Sequence, residues 1–181
     1  MNRCKWAQGT EMIRYHDSEW GIPVHNDKKL FEMLILEGAQ AGLSWSTILK
    51  RRKTYQKAFD DFDPKIISKY TQKDIARLLS DEGIIRNKLK IKSAINNAKQ
   101  FLKIQKEFGS FDKYLWEFVK NKPIKNNFKN LSDVPASTEL SDQISKDLKK
   151  HGFSFVGTTI VYAYMQAVGI VNDHVKNCFR Y

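Results

Sequence analysis

The chain contains only two cysteines and four prolines among its 181 residues, and it has no long apolar run. Two cysteines cannot form the several disulfides that hold small secreted domains together, which excludes that class of protein. Without about 20 consecutive apolar residues, no segment is long enough for a membrane-spanning helix. Met1 is followed by the polar residues NRCK instead of the apolar region of a secretory signal. We therefore expect a cytoplasmic protein with no membrane partner.

The sequence also lacks the alternation of apolar and polar residues that marks a half-buried strand, and it has no internal repeat or low-complexity segment. Apolar residues recur instead at helical spacing through most of the chain, which predicts an all-α fold. A chain of 181 residues is long enough to bury a substantial core within one domain. We therefore predict a single domain over residues 1–181, and we expect it to be a monomer.

Capping residues and glycines predict several helix boundaries. Asp27 is expected to cap the helix that carries LFEMLILEGAQ, and Asp63 and Thr71 are expected to cap two later helices. Gly83 is the predicted stop of the helix that Thr71 begins. Residues 121–136 hold two prolines and few apolar residues, so they are predicted to form the one long loop.

The charge balance is strongly basic. The chain carries 31 Lys and Arg against 20 Asp and Glu, a formal net charge of +11. This excess favours a polyanionic partner such as nucleic acid. A lysine-rich surface that only faces solvent would have the same composition, so charge alone leaves both interpretations open.

The segment LKKHGFSFVGTT is the first candidate for a nucleic-acid contact. Gly152 and Gly157 permit a tight turn and a close approach of the backbone, and the helix that begins at Thr158 offers free amides to a phosphate. Lys150 adds positive charge at the end of the preceding helix. The pattern resembles a helix-hairpin-helix DNA-binding element, although an ordinary corner between two helices has the same spacing.

Glu37, in the segment LEGAQAGLSW, is the second candidate. It follows Leu30 by seven residues, which places a carboxylate on the apolar face of its helix. A buried carboxylate is costly unless it is paired, so such a group is often functional. Glu37 could instead lie at the edge of the apolar face and pair with a lysine. Trp45 favours a functional role, because an aromatic plane beside an acceptor suits a base flipped out of DNA.

Two cysteines and two histidines form the third candidate, a set of four residues divided between the ends of the chain. Thiolate and imidazole are the ligands of structural zinc, and four of them complete its tetrahedron. If the C-terminal segment is helical, the spacing HVKNC places two of the ligands on one face. No standard zinc finger has this spacing, so two buried thiols and two surface histidines remain the alternative. The four residues are Cys4, His16, His174 and Cys178.

These motifs together resemble those of the bacterial 3-methyladenine DNA glycosylase I family. The resemblance spans nearly the whole chain and is highly specific, because the motifs occur in the family's order. They are RCKW, YHDSEWG, LFEMLILEGAQAGLSW, FDP, GIIRNKLKI, QISKDLKKHGFSFVGTT, YMQAVGIVNDH and the closing Cys178.

The resemblance implies a two-lobed helix-hairpin-helix DNA glycosylase fold, with the hairpin at about residues 149–158 and the damaged base held between the lobes. It implies a structural Zn²⁺ on the four Cys and His residues, which would act as a clasp between the N- and C-termini. The implied partner is alkylated double-stranded DNA. The implied reaction hydrolyses the N-glycosidic bond of 3-methyladenine, with 3-methylguanine as a weaker substrate, and leaves an abasic site.

The resemblance also implies roles for individual residues. Glu37 and Tyr15 would hydrogen-bond the purine edge, and Trp45 would stack on the base. We hypothesise that Glu37 recognises the base and stabilises positive charge instead of acting as an obligatory general base. The remaining implied residues are Trp6 and Trp20 as pocket walls, Gln40, Gly42 and Leu43 as the stretch that enters the duplex, and Lys150, Gly152, Gly157 and Thr158 as contacts to the DNA backbone.

Two features bear on the type of reaction. The segment VGTTIVYAYMQAVG has no lysine, so it lacks the amine with which related enzymes form a Schiff base and cleave the strand. Related enzymes also use an aspartate after this helix, but we expect Asp173 to have a structural role near His174. Two other functions remain as competitors: a DNA-binding module without catalysis, and a zinc hydrolase, which would need an open metal position.

Overall fold

The computed structural model describes residues 1–181, and its regular secondary structure is almost entirely α-helical, as predicted. None of its helices is both long and apolar enough to cross a membrane. The helices are α1 (Thr10–Ser18), α2 (Asp27–Gln40), α3 (Trp45–Ala58), α4 (Pro64–Ile67), α5 (Gln72–Ser80), α6 (Lys88–Phe108), α7 (Phe111–Glu117), α8 (Glu139–Lys150) and α9 (Thr158–Ala167). Two short 3₁₀ helices lie at Asp60–Phe62 and Leu131–Asp133.

Helix α2 lies at the centre of the fold and packs against α3, α6, α7 and α9. Nine of its fourteen residues are buried, so it has almost no solvent face. Eight of these nine carry no charge and contribute to the core or allow close packing. The ninth is Glu37, which means that the most deeply packed helix carries one carboxyl group into the interior.

The predicted cap of α2 is wrong by one residue. Asn26 caps the helix, because its side chain accepts a hydrogen bond from the backbone N–H of Lys29 at 3.0 Å. The Asp27 carboxylate accepts instead from the backbone N–H groups of Phe111 and Asp112, at 2.9 and 2.8 Å. Asp27 therefore satisfies the free amides at the start of α7, a long-range role that local sequence does not indicate.

The other boundary predictions had mixed outcomes. Asp63 caps α4 by accepting from the N–H of Lys65 at 2.8 Å, and Thr71 forms a capping box with Asp74 at the start of α5. Both of these predictions are confirmed. Gly83 is not the stop of α5, because the helix ends at Ser80 and Asp81 already has an extended backbone.

The predicted loop over residues 121–136 contains one feature that the sequence did not predict. Strands β1 (Ile124–Lys125) and β2 (Val171–Asn172) pair in parallel, with Ile124 opposite Val171. Two-residue strands are too short to produce a pattern of alternation, so nothing in the sequence marks them. The pairing ties the loop to the C-terminal segment.

The sequence analysis placed His174 and Cys178 on one face on the condition that the segment HVKNC is helical. The C-terminal segment after β2 is not helical. A turn brings the two ligand residues together, and the N–H of Cys178 donates to the carbonyl oxygen of Val175 at 2.8 Å. The turn exposes Lys176 and Asn177 and places the buried side chains of His174 and Cys178 on one side, just as a helix would.

Gly169 joins α9 to β2 at a close approach of two backbones. The N–H of Val24 donates to Val168 O at 3.0 Å, and the N–H of Gly21 donates to Gln166 O at 2.9 Å. These bonds hold residues 21–24 against the end of α9. Gly169 has a φ of +71°, and a Cβ there would overlap backbone atoms of Ile22 and Pro23.

We predict that Gly169→Ala will lower the free energy of unfolding by ~3 kcal/mol or more, because the clash is with backbone and cannot be relieved by a rotamer change. Gly109→Ala is the matched control. Gly109 has a similar φ of +87°, but a Cβ there would meet only the Lys113 side chain at ordinary distance. The control should cost only ~1–2 kcal/mol. Equal losses in denaturant unfolding would contradict the close approach at Gly169.

Candidate functional site

An open cavity of about 400 Å³ lies where α1, α2, α3 and α9 meet the loop that follows β1. Its walls are mainly apolar and aromatic, as in most sites for small organic ligands. Six residues that the sequence analysis singled out line it: Trp6, Tyr15, Trp20, Glu37, Gln40 and Trp45. Sequence reasoning missed the rest of the lining, which is Met12, Leu131, Val134, Pro135, Ala136, Thr159, Tyr162, Ala163 and Gln166.

Glu37 carries the only carboxyl group in the cavity wall. Its side chain is 4% exposed, and its Oε2 atom has no hydrogen-bond partner. Burial raises the pKa of Glu37 to about 8. The alternative that Glu37 lies at the helix edge and pairs with a lysine is therefore wrong. The buried, unpartnered oxygen is available to a ligand.

Trp45 provides the second unpaired group of the cavity. Its indole Nε1 is buried without a hydrogen-bond partner. The other buried side-chain polar atom without a partner is Glu37 Oε2. The Trp45 ring lies 5.4 Å from the Tyr15 ring, at an interplanar angle of 57°. Burial, and then the nearby Glu37, raise the pKa of Tyr15 well above its usual value. Tyr15 therefore keeps its proton and can donate.

Trp6 and Trp20 form another wall, with ring centroids 4.9 Å apart in an edge-to-face arrangement. Each also contacts a histidine of the proposed metal-binding set. Trp6 lies 5.2 Å from the His16 ring, and Trp20 lies 4.6 Å from the His174 ring. The aromatic wall of the cavity is thus packed directly on the Cys and His cluster.

The four Cys and His residues come together, although they are separated by nearly the whole chain. Their ligand atoms all lie within 4.8 Å of one another, and all four residues are buried. Cys178 Sγ lies 3.4 Å from both His16 Nε2 and His174 Nδ1, and Cys4 Sγ lies 3.6 Å from His174 Nδ1. The alternative of two unrelated surface histidines is wrong, because both rings are in the interior.

One ring nitrogen of each histidine faces the thiols, and the other bonds away from them; His16 Nε2, on the thiol side, also accepts from the backbone N–H of Cys4 at 3.2 Å. His16 Nδ1 lies 2.8 Å from Asp17 Oδ1, and His174 Nε2 lies 3.1 Å from the carbonyl oxygen of Trp20. Metal-binding histidines typically use their second nitrogen in this way. Arg3 in turn holds the Asp17 carboxylate through bonds of 2.7–3.0 Å. The cluster is therefore built to orient its ligand atoms inward.

Protonation in the cluster also fits a bound cation. Burial lowers the pKa of His174 to about 4, so its ring stays neutral and keeps a lone pair. Burial, assisted by Cys178, raises the pKa of the Cys4 thiol to about 11. A dication among the sulfur atoms would offset that cost by stabilising thiolate. Two thiols and two imidazoles therefore fit a closed tetrahedral metal site.

The turn between α2 and α3 adjoins the cavity through Gln40. Leu43 on this turn is 38% exposed, and Gly42 has a φ of +78°. Lys90 of α6 holds the turn, because its Nζ donates to the carbonyl oxygens of Ala39 and Ala41 at 2.8 and 2.6 Å. These are C-terminal carbonyls of α2 that would otherwise be free. The sequence analysis missed this role of Lys90.

The hairpin between α8 and α9 covers residues 151–157, slightly less than the predicted 149–158. Gly152 has a φ of +83°, and Gly157 is the residue before the first turn of α9. Lys150 is exposed at the end of α8. The Thr158 hydroxyl bonds Ser141 Oγ at 2.8 Å, so a contact of Thr158 to DNA would use its backbone N–H. The backbone role predicted for these four residues stays a prediction.

Asparagines of α6 hold this hairpin in place. Asn97 Nδ2 donates to Ser154 O at 2.8 Å, and its Oδ1 accepts from Ser154 N at 2.9 Å. Asn96 Nδ2 donates to Gly152 O at 2.7 Å. Buried Asn97 in an otherwise apolar stripe was a signal of this contact that the sequence analysis did not use.

Comparison with known proteins gives a consistent result. The family model for methyladenine glycosylases matches residues 6–181. The DNA-3-methyladenine glycosylase 1 of Escherichia coli is 48% identical over 182 residues, which cover 100% of this chain and 97% of that protein. A crystal structure of a 3-methyladenine DNA glycosylase I is 47% identical and covers 98% of each chain, with a TM-score of 0.96. A variant of a 3-methyladenine DNA glycosylase I, solved in complex with 3-methyladenine, is 38% identical and covers 99% of this chain and 97% of its own, with a TM-score of 0.96.

The raised pKa of Glu37 predicts a pH dependence of stability. The folded chain holds this proton up to about pH 8, whereas the unfolded chain releases it near 4.5. The contribution of protonated Glu37 to the free energy of unfolding is therefore complete below pH 4.5, and it is lost as the pH rises towards 8. Between pH 5 and pH 9 the wild type should lose stability as Glu37 titrates, whereas Glu37→Gln has no such group to titrate. The free energy of unfolding of the variant minus that of the wild type should therefore be larger at pH 9 than at pH 5 by ~1 kcal/mol or more. Urea unfolding at both pH values measures this difference.

The exposed Glu11 provides the control for this titration. Glu11→Gln should follow the pH dependence of the wild type. If the curve of Glu37→Gln is also parallel to that of the wild type, Glu37 does not carry a buried proton.

Proposed function

Because the chain belongs to the methyladenine glycosylase family, whose members hydrolyse N-glycosyl bonds, we propose that it excises 3-methyladenine from alkylated double-stranded DNA. The base would be flipped out of the helix into the cavity, and the product would be an abasic site. The observation that carries this proposal is the unpartnered, buried Glu37 Oε2 in a wall of aromatic rings. A cavity with such an atom among aromatic rings suits a ligand that has a polar edge and a flat, polarisable body.

Recognition would depend on charge. Methylation at N3 makes the purine of the nucleotide cationic, and a cation is attracted both to a carboxylate and to aromatic faces. A desolvated cation–π contact is worth about 2 kcal/mol. Trp45 would stack on the base, while Glu37 and Tyr15 would hydrogen-bond its edge and Trp6 and Trp20 would enclose it. Neutral adenine would gain less from the same walls, so the cavity would prefer the damaged base.

The bond cleavage would need little acid catalysis, because a cationic base leaves as a neutral molecule. The C1′–N9 bond breaks, and its electron pair goes to the base. Water adds its oxygen to C1′ of the sugar and loses a proton. A cationic base beside Glu37 would lower the pKa of its carboxyl group and favour loss of the proton. The resulting carboxylate would stabilise the positive charge on base and sugar as the bond lengthens. We infer a reaction without strand cleavage, since α9 has no lysine that could form a Schiff base with the sugar.

Access to the base would require DNA distortion. Gln40, Gly42 and Leu43 would enter the duplex where the base has left, which suits the exposed Leu43 on a turn beside the cavity. Extrusion costs a few kcal/mol, and stacking on one aromatic ring returns ~1–3 kcal/mol. The amides of the hairpin at Gly152, Gly157 and Thr158, with Lys150, would bind the DNA backbone.

The Cys and His cluster would hold a structural Zn²⁺. Four protein ligands from Cys4, His16, His174 and Cys178 leave no open position for water, so the metal would not take part in hydrolysis. Its contribution would be to join the two termini and thereby fix Trp6 and Trp20, which pack on the two histidines.

The direct test is release of methylpurines from alkylated duplex DNA, measured by chromatography of the free bases. The wild type should release 3-methyladenine and leave intact strands that contain abasic sites. Glu37→Gln should lower the rate ~10–100-fold, because a charge-assisted hydrogen bond is lost without a change of shape. Glu11→Gln should match the wild type. Absence of released base with the wild type would contradict the proposal, and nicked strands would contradict the reaction without cleavage.

A second prediction concerns the metal. Cys178→Ser should reduce bound zinc well below one ion per chain and lower Tm by ~10 °C or more, because binding of structural zinc is coupled to folding. Elemental analysis and thermal unfolding measure the two effects. A chelator should lower the Tm of the wild type but leave that of the variant unchanged. If the wild type purified with zinc in the medium contains none, the structural zinc site is refuted.

A further inference from the structure

Asp173 is a buried carboxyl group that the proposed reaction does not use. It is 1% exposed and is not among the residues that line the cavity. Its Oδ2 accepts from Tyr162 Oη at 2.6 Å and from Gln166 Nε2 at 2.8 Å, and its Oδ1 accepts from Asn126 Nδ2 at 2.6 Å. Three donors occupy both oxygens, so this carboxylate is not available to abstract a proton from water in the cavity.

The three donors belong to two different walls of the cavity. Tyr162 and Gln166 lie four residues apart on α9, hence on the same face, and both line the cavity. Asn126 follows β1 in the loop that continues to the lining residues 131–136. The Asp173 side chain is therefore a direct link between α9 and this loop.

Backbone bonds fix the loop on either side of this link. The N–H of Asn126 donates to Asn172 O at 3.0 Å, and the N–H of Lys176 donates to Phe128 O at 2.9 Å. Asp173 lies between these two bonds in the sequence. The C-terminal segment therefore holds the start of the loop at residues 126–128, directly before the lining residues, and the Asp173 side chain connects this part of the loop to α9.

We propose that Asp173 is a positioning residue for base binding, whose carboxylate sets the separation of α9 and the 131–136 loop to the thickness of a purine. The inference rests on the proposed function, because it assumes that a purine occupies the cavity. It assigns to Asp173 a specific part in ligand affinity, in addition to its place beside His174. The residue acts through Tyr162, Gln166 and Asn126 and does not touch the base.

Asp173→Asn tests this role. The amide replaces one acceptor oxygen by an N–H₂ group, which then faces either Asn126 Nδ2 or the α9 donors, so one wall loses its link. The Kd for free 3-methyladenine, measured by quenching of tryptophan fluorescence, should rise ~10-fold. Zinc content should be that of the wild type. Affinity for duplex DNA with an abasic-site analogue should stay within about twofold, because the turn and hairpin proposed to bind DNA make no bond to Asp173.

Asp27→Asn is the matched control. The Asp27 carboxylate also accepts three hydrogen bonds, from Gln105 Nε2, Phe111 N and Asp112 N, but none of these groups lines the cavity. This variant should lose stability without a change in the Kd for 3-methyladenine. Asn126→Ala, in which only the loop side of the link is cut, should raise that Kd ~3-fold and covers the case in which Asp173→Asn does not fold.

The outcomes separate this inference from the proposed function. A wild type that does not bind 3-methyladenine overturns the proposed function, and with it the inference. If the wild type binds 3-methyladenine and Asp173→Asn binds it equally well, the inference alone is overturned. If Asp173→Asn is unfolded, unchanged affinity in Asn126→Ala has the same consequence. An equal rise of Kd in Asp27→Asn, or a parallel loss of affinity for abasic DNA, also overturns it, since either would indicate a general loss of structure.

Discussion

The candidate site is organised around one carboxyl group that is buried without a hydrogen-bond partner. Glu37 lies on the most deeply packed helix, and its Oε2 accepts no hydrogen bond within the protein. A buried acceptor without a partner costs about 1–3 kcal/mol, which the rest of the core must offset. The same isolation raises the pKa of Glu37 to about 8, and it would strengthen the interaction of the carboxylate with a cationic ligand. In the proposed function, the stability lost at Glu37 is thus exchanged for recognition of a cationic base.

The walls around Glu37 are held by contacts between distant parts of the chain. The N-terminal segment contributes Trp6, Tyr15 and Trp20, and the C-terminal segment packs against Trp20 through His174. The proposed zinc site joins these segments across 170 residues between Cys4 and His174. Closing so long a loop is entropically costly, and a metal that binds only the folded state would compensate for it. The Cys and His cluster and the cavity wall form one packing unit, because Trp6 and Trp20 pack on its histidines.

Much of this could be predicted from sequence because it is local or carried by residue type. Helical periodicity predicted the fold class, and the place of Glu37 on an apolar face predicted its burial. The ligand chemistry of two Cys and two His indicated a metal site, but the family resemblance was needed to choose it over unrelated residues. The remaining features depend on tertiary contacts. Asp27 caps another helix, Lys90 caps α2 from α6, and two-residue strands place the 131–136 loop in the cavity wall. None of these leaves a periodic or local signal.

The central claim is that Glu37 is the group that distinguishes the methylated base. Its side-chain carboxyl carbon can be followed by isotope-edited NMR during a titration with 3,9-dimethyladeninium, which keeps the positive charge of the damaged nucleotide, with neutral 9-methyladenine as the reference. We expect the free protein to show a carboxyl group that titrates near pH 8. We further expect saturation with the cationic base to shift this resonance at pH 7, while the neutral base at the same concentration leaves it in place. A resonance that neither base moves, or that both bases move equally, would contradict the account.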